Sequence, residues 1–238
     1  MARRDAQFFI LSDGRPGDTL GDDAFYQSGH DFVRDLLGRL PEHPRRKALE
    51  IGCGLGRNVF ALAGRYEQVI GLDISDAMVD GLNASDRRPA NAEGRLTGPD
   101  ARFPGIDDRS VDLVLSVICL QHIASWGVIE RTIDEIGRVV SANGVAAVQL
   151  DTRPIRLARE LYMKLPDALL PAVHRRGMRR VSREIGLVRS AFEAAGLRIA
   201  EQRGAATSEH WFVLTARTSS EPSGGHDSAP RVRANTHR

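Results

Sequence analysis

Along the chain, short apolar runs alternate with stretches in which apolar residues recur at helical spacing. Residues 47–51, 68–73 and 111–117 are runs of four to seven residues dominated by Val, Ile, Leu and Ala, the mark of strands buried on both faces. Between them, 56–65, 75–86 and 125–140 carry apolar residues three and four apart. In the last of these, Ile129, Ile133, Ile136, Val139 and Val140 form one face. The spacing predicts a helix from Asp22 or Asp23 to about Leu40, with Phe25, Phe32, Leu36 and Leu37 on one side, broken by Pro41 and Pro44. A weaker strand is predicted at 94–98 and another at 145–150, the latter after an Asn143-Gly144 turn that ends the helix through a left-handed position. Ser75 is placed to cap its helix with its hydroxyl. The run closes with a helix over 183–195 ended by Gly196, and strands over 197–203 and 211–216. Such alternation predicts an α/β fold with a doubly wound, mostly parallel sheet.

Two stretches leave this pattern. Residues 151–182 read as a helical insertion broken at Pro166 and Pro171. Over 151–183, nine Arg and Lys stand against three acids, which makes the segment strongly basic. Residues 218–238 hold Ser, Pro, Gly and charge with little to bury, and are expected to be disordered. The expected organisation is a loop and covering helix over 1–44, one domain over 45–217 and a tail over 218–238.

Composition changes the picture little. Apolar residues make up 42% and charged residues 27% of 238, ordinary for a soluble domain. No run of about 18 apolar residues exists and the N-terminus lacks a secretory core, so a cytoplasmic protein with no membrane span is expected. The 31 Arg against 2 Lys suggest a GC-rich, bacterial coding bias rather than nucleic-acid binding. Cys53 and Cys119 fit a reducing compartment, and no metal-ligand spacing is present.

The chemistry concentrates where the first strand meets its helix. Gly52, Gly54 and Gly56 alternate with single residues, so the backbone can turn sharply and a ligand can approach it. The dinucleotide fingerprint G-x-G-x-x-G would need its third glycine at Arg57, so a pyrophosphate is not the best fit. Asp73 ends the second strand 21 residues after Gly52, where an acid can accept the hydroxyls of a ribose. Together these features ask for a nucleoside.

The runs Glu50-Ile-Gly-Cys-Gly-Leu-Gly-Arg57, Gly71-Leu-Asp73-Ile-Ser75, Gly98-Pro-Asp100-Ala101-Arg-Phe-Pro104 and Asp112-Leu-Val-Leu-Ser116-Val-Ile-Cys-Leu-Gln-His122-Ile123 resemble, in that order, the class I S-adenosylmethionine-dependent methyltransferases, within them the small-molecule branch. The resemblance covers roughly 45–150 well and 184–217 loosely. It implies a Rossmann-like sheet of seven strands with the last antiparallel, and S-adenosyl-L-methionine as cofactor, leaving as S-adenosyl-L-homocysteine. It implies Asp73 on the ribose; Gly52, Cys53, Gly54 and Asn58 in contact with the cofactor; and Asp100 with the Ala101 N–H on the adenine, flanked by Ile74 and Met78. Glu50 would support the methionine amine or stand in a structural ion pair. The Val117 carbonyl would meet the same amine, and Tyr26, on the N-terminal helix, would close over it. His122 would be a general base or a loop-capping histidine. The departure is at Val140-Ser-Ala-Asn-Gly144, where relatives often carry Leu-x-Pro-Gly-Gly.

Three functions follow. The first is methyl transfer to O, N or C of a small metabolite, with the basic insertion as a lid. The second is an RNA methyltransferase reading RNA through 151–183; only Tyr162 is available there for stacking and no Asn-Pro-Pro-Tyr motif follows the fourth strand, so nucleic acid is not the expected partner. The third is a cofactor-binding regulator without turnover. Oligomeric state is not encoded in any visible pattern.

Overall fold

A computed structural model describes residues 21–98, 100–154, 165 and 180–217. The predicted tail, the loop over 1–20 and most of the helical insertion lie outside the described residues. After α1 (Asp22–Leu37), the chain alternates through β1 (Lys47–Ile51), α2 (Arg57–Ala63), β2 (Gln68–Asp73), α3 (Asp76–Asn83), β3 (Ala92–Leu96), β4 (Val111–Ser116), α4 (Trp126–Val139) and β5 (Val140–Leu150). It ends through α5 (Ile185–Ala194), β6 (Leu197–Arg203) and β7 (His210–Ala216).

The strands form one sheet of seven in the order β3-β2-β1-β4-β5-β7-β6. The first five run parallel, while β7 pairs antiparallel with both β5 and β6. Alternate residues of each strand feed opposite faces. Leu49, Ile51, Val114 and Val148 pack with α4 and α5 through Ile133, Ile136 and Phe192. Ala48, Leu113, Leu115 and Ala147 pack with Val59, Phe60 and Leu62 of α2, Leu82 of α3 and Val33 of α1. Glu50 falls on this second face, under α2. Strand order reverses at β1, which has β2 on one side and β4 on the other, so a crevice opens beyond their carboxyl ends.

The structure shifts several predicted features. The third strand runs over Ala92–Leu96, two residues early, because Val69 to Asp73 offer ladder partners to that register. β5 begins at Val140 directly after α4 and runs through Asn143-Gly144. The predicted left-handed turn there does not form: a register shift against β4 absorbs the irregularity, and Ser141 Oγ donates to Asp112 at 2.9 Å. Ser75 stands at the N-cap of α3, but its side chain makes no cap bond. The cap of α5 is Glu184, whose carboxylate accepts from the Gly186 and Leu187 N–H groups. Gly196 does take the left-handed conformation, at φ +71°. Among the described residues no helix is long and apolar enough to cross a membrane, and no cluster of His, Cys, Asp and Glu suits a metal.

Candidate functional site

The loop between β1 and α2 is tied to the tip of β2. The Gly52 and Cys53 N–H groups both donate to the Leu72 carbonyl, at 2.7 and 3.0 Å. The Asp73 carboxylate accepts the Gly54 N–H on one oxygen and the Ser75 N–H on the other, each at 2.9 Å. Each oxygen thus keeps a second acceptor site, and the side chain is half-buried at the mouth of the crevice. Gly52 has φ +76°, and a Cβ on it would stand 2.5 Å from Cys119 Sγ, so the loop and the turn after β4 leave room only for glycine.

Beneath the loop lie three polar side chains, each more than nine-tenths buried: Glu50, Arg57 and Asn58. Asn58 Nδ2 donates to Glu50 Oε1 at 2.7 Å. Among the described residues, Glu50 Oε2, Asn58 Oδ1 and Arg57 Nε have no hydrogen-bond partner. Of the two readings of Glu50, the structural ion pair is not made: no salt bridge reaches Glu50 among the described residues, although Arg57 acts on it through space. Burial pushes its carboxyl up to about 7, against the opposing pull of Asn58 and Arg57. Burial also raises both thiols, Cys119 to about 12, and both cysteines are free.

Helix α1 covers this corner. Tyr26 stacks on Phe60 with ring centroids 5.2 Å apart, and its hydroxyl reaches the Leu55 carbonyl at 3.5 Å. Arg87 sits 5.5 Å above the Tyr26 ring and pairs with Asp23. The helix can come this close because residue 29 is glycine; a Cβ there would lie 2.2 Å from the Arg57 carbonyl oxygen.

On the β2–β3 side, Ile74 is 72% exposed and Met78 half-buried, next to the exposed Leu96. Asp100 is exposed, and its carbonyl accepts from Arg131 Nε of α4 at 3.1 Å. Ala101 has φ +63°, and its N–H already donates to the Gly98 carbonyl at 3.0 Å. The predicted use of that N–H on an adenine would have to share this turn bond.

Beyond β4, Val117 and Ile118 lead to a 3-10 turn, Leu120–His122. Ile118 has φ +52°, an uncommon state for a β-branched residue, held by its N–H donating to buried Gln149 at 3.0 Å. His122 is half-buried at the end of the turn, three residues after the cysteine that meets Gly52. The segment 180–183 clamps this turn from outside. The Val181 N–H donates to the Gln121 carbonyl at 2.7 Å, and Arg183 Nη2 donates to the Ile123 and Ala124 carbonyls at 2.8 and 2.7 Å. Arg183 lies over the Trp126 ring at 5.8 Å. Among the described residues, neither Arg183 Nε nor Trp126 Nε1 has an acceptor.

A family model described as a methyltransferase domain matches residues 49–148, from the glycine loop to the end of β5. Over that stretch, which is less than half of the chain, the sequence resembles the S-adenosylmethionine-dependent methyltransferases. The chain is similar to a probable S-adenosylmethionine-dependent methyltransferase of Saccharomyces cerevisiae, 26% identical over 127 residues, covering 52% of this chain and 40% of that one. It is also similar to a trans-aconitate 2-methyltransferase of Variovorax paradoxus, 29% identical over 127 residues, 50% of this chain and 43% of that one. The chain thus spans less than half the length of these curated relatives. Among solved structures, magnesium protoporphyrin IX methyltransferase of Synechocystis with bound S-adenosylhomocysteine has a TM-score of 0.57 at 18% identity, covering 90% of this chain and 94% of that one, a likeness of fold.

Of the predicted site residues, the structure brings Glu50, Gly52, Cys53, Gly54, Asn58 and Asp73 together at the tips of β1 and β2, with Tyr26 over their loop. Ile74 and Met78 follow Asp73, Asp100 and Ala101 follow β3, and Val117 and His122 follow β4. Sequence reasoning missed Arg57, Gln149, Trp126 and Arg183. An arginine in a sequence reads as surface, and only the glycine at position 29 hinted that another element presses on the start of α2.

Proposed function

We propose that this protein transfers a methyl group from S-adenosylmethionine to a small-molecule acceptor. The observation that carries this reading is the pair of buried oxygens without donors among the described residues, Glu50 Oε2 and Asn58 Oδ1, beside a glycine loop whose other flank is Asp73. Buried polar atoms are normally satisfied, so the two call for a donor from outside the chain, and an ammonium group fits. The cofactor, when bound, supplies a methyl group already activated on sulfur, so the chain need only bind, aim and exclude water. Asp73 would accept the ribose hydroxyls on the acceptor sites that Gly54 and Ser75 leave open. Ile74 and Met78 would flank the adenine, with Asp100 at its edge. The Val117 carbonyl would join Glu50 at the amine, and Tyr26 would close that end. His122 would take a proton from an acceptor that must lose one.

The acceptor is read as carrying an anionic group. Arg183 Nε and Trp126 Nε1 are donors without acceptors among the described residues, beside the turn that carries His122. Relatives named for trans-aconitate methylation fit the same reading. The test is transfer of labelled methyl to three pools: small carboxylic acids, their neutral methyl esters, and total RNA at low and high salt. Salt-insensitive labelling of the acids above the esters is expected. Labelling confined to RNA, lost at high salt, would replace this reading with the RNA one. Tight binding of S-adenosylhomocysteine with no acceptor in any pool would favour a regulator.

A further inference from the structure

We propose that Arg183 is a positioning residue for methyl transfer, holding in place the turn from which His122 takes the acceptor's proton; the inference rests on the methyltransferase reading above. The turn after β4 is a single 3-10 turn, Leu120–His122. Within it the His122 N–H donates to the Cys119 carbonyl at 2.9 Å and the Ile123 N–H to the Leu120 carbonyl at 3.2 Å. So short a turn has little stiffness of its own. The segment 180–183 supplies it. The Val181 N–H takes the carbonyl before His122, that of Gln121, at 2.7 Å. Arg183 Nη2 takes the two carbonyls after it, those of Ile123 and Ala124, at 2.8 and 2.7 Å. His122 is thus bracketed on both sides along the chain. The strap is anchored in turn to the carboxyl end of β5. The Arg183 N–H donates to the Asp151 carbonyl at 2.8 Å, and Ser182 Oγ to the buried Asp151 carboxylate at 3.0 Å.

A cation at this spot is a poor device for plain stability. Arg183 is half-buried, no acid forms an ion pair with it among the described residues, and burial pulls its pKa below the usual arginine value. It also lies over the Trp126 ring, at the N-terminal end of α4, where the helix dipole disfavours positive charge. What Arg183 supplies is direction, since one planar guanidinium fixes two successive carbonyls. Direction matters for a base, which works only within hydrogen-bond reach of the proton it takes; a shift of about 1 Å can lower a rate roughly a hundredfold. In the step itself the acceptor's O or N bonds to the methyl carbon, the electron pair of the breaking S–C bond stays on sulfur, and the acceptor's proton goes to the His122 imidazole.

The test is steady-state transfer of labelled methyl by the full chain to hydroxy acids and amino acids, each of which must lose a proton on methylation. Arg183→Met and Val181→Pro are compared with the wild-type protein, and each is also made in the His122→Ala protein. Val181→Pro deletes the N–H that meets Gln121 and leaves the guanidinium in place, so it carries the same test if Arg183→Met does not fold. Each strap variant should lower kcat at least about tenfold while affinity for S-adenosylhomocysteine stays within about twofold. In the His122→Ala protein the same changes should lower kcat by less than about twofold further. Full multiplication of the effects there would mean that Arg183 acts without His122, as a grip on the acceptor or a prop for α4, and would overturn the proposal. An unchanged kcat in His122→Ala would overturn it too, as would transfer confined to acids with no proton to lose, such as dicarboxylates. No transfer to any acid, with S-adenosylhomocysteine bound, would instead remove the methyltransferase reading, and this inference with it.

Discussion

At the scale of single residues, two carboxylates divide the work by environment. Asp73 is half-exposed and already anchors Gly54 and Ser75 through their N–H groups. Asp73→Ala should therefore weaken S-adenosylhomocysteine binding by about 3 kcal/mol, from lost charge-assisted bonds and a loosened loop together. Calorimetry gives the first quantity, and amide exchange at Gly54 the second. Glu50 behaves differently, because burial lifts its carboxyl to about 7, with Asp73 adding to the lift and Arg57 and Asn58 opposing it. Cys53 and Cys119, which also face it, stay protonated because burial raises both. The empty protein thus holds a proton on Glu50 between its ordinary carboxylate range and about 7, and that contribution to stability is lost as pH rises through this window. An arriving ammonium favours the ionised form. Cofactor affinity should then fall as pH drops below about 7, approaching tenfold per pH unit, with a proton released on loading near pH 6. Titrations in buffers of different ionisation enthalpy count that proton. Glu50→Gln should abolish both the release and the pH dependence.

At the scale of elements, the covering helix depends on one missing atom. A Cβ at Gly29 would sit 2.2 Å from a main-chain oxygen of α2, which cannot move aside without shifting the helix. Gly29→Ala should cost about 1–3 kcal/mol, as overpacking does, and speed amide exchange in α1 ahead of the sheet. Denaturant titration with exchange mass spectrometry separates the two effects. The same contact explains what was legible beforehand. β1, β2, β4 and the glycine loop follow from apolar runs and glycine spacing, which are local. The start of β5 at Val140 was hidden, because it rests on a register shift against β4 and on Ser141 meeting Asp112, 29 residues away. The edge strand β3 was displaced because Glu93 and Arg95 interrupt its apolar signal. Asp73 and Glu50 could be picked out by position. The burial of Arg57 and the clamp of Arg183 on Ile123 and Ala124 could not, since each joins segments far apart in the chain.

For the whole molecule, the ends of the parallel strands do separate jobs. The carboxyl ends carry the candidate site; the amino ends of β1 and β4 are fastened by Asp112. Its buried carboxylate accepts from the Arg46 main chain at 3.0 Å, the Arg46 guanidinium at 2.8 and 3.1 Å, and Ser141 Oγ at 2.9 Å. Burial pushes its pKa up, but these bonds outweigh it and hold the group below the usual carboxylate range. It therefore stabilises the fold at neutral pH and loses that role as acid protonates it. Asp112→Ala should cost about 1–3 kcal/mol by leaving the Ser141 hydroxyl and the Arg46 N–H without their acceptor, lowering Tm while nucleoside affinity at the far end is kept. Calorimetric melting beside a ligand titration checks both halves. The cover over the site has a further property. Phe32 of α1 meets Trp211 of β7, with ring centroids 6.2 Å apart. A helix translated early thus waits for a neighbour translated almost two hundred residues later. While the ribosome is still short of β7, a nascent chain has its glycine loop but an incomplete roof, so the enclosed site forms only once β7 has been made.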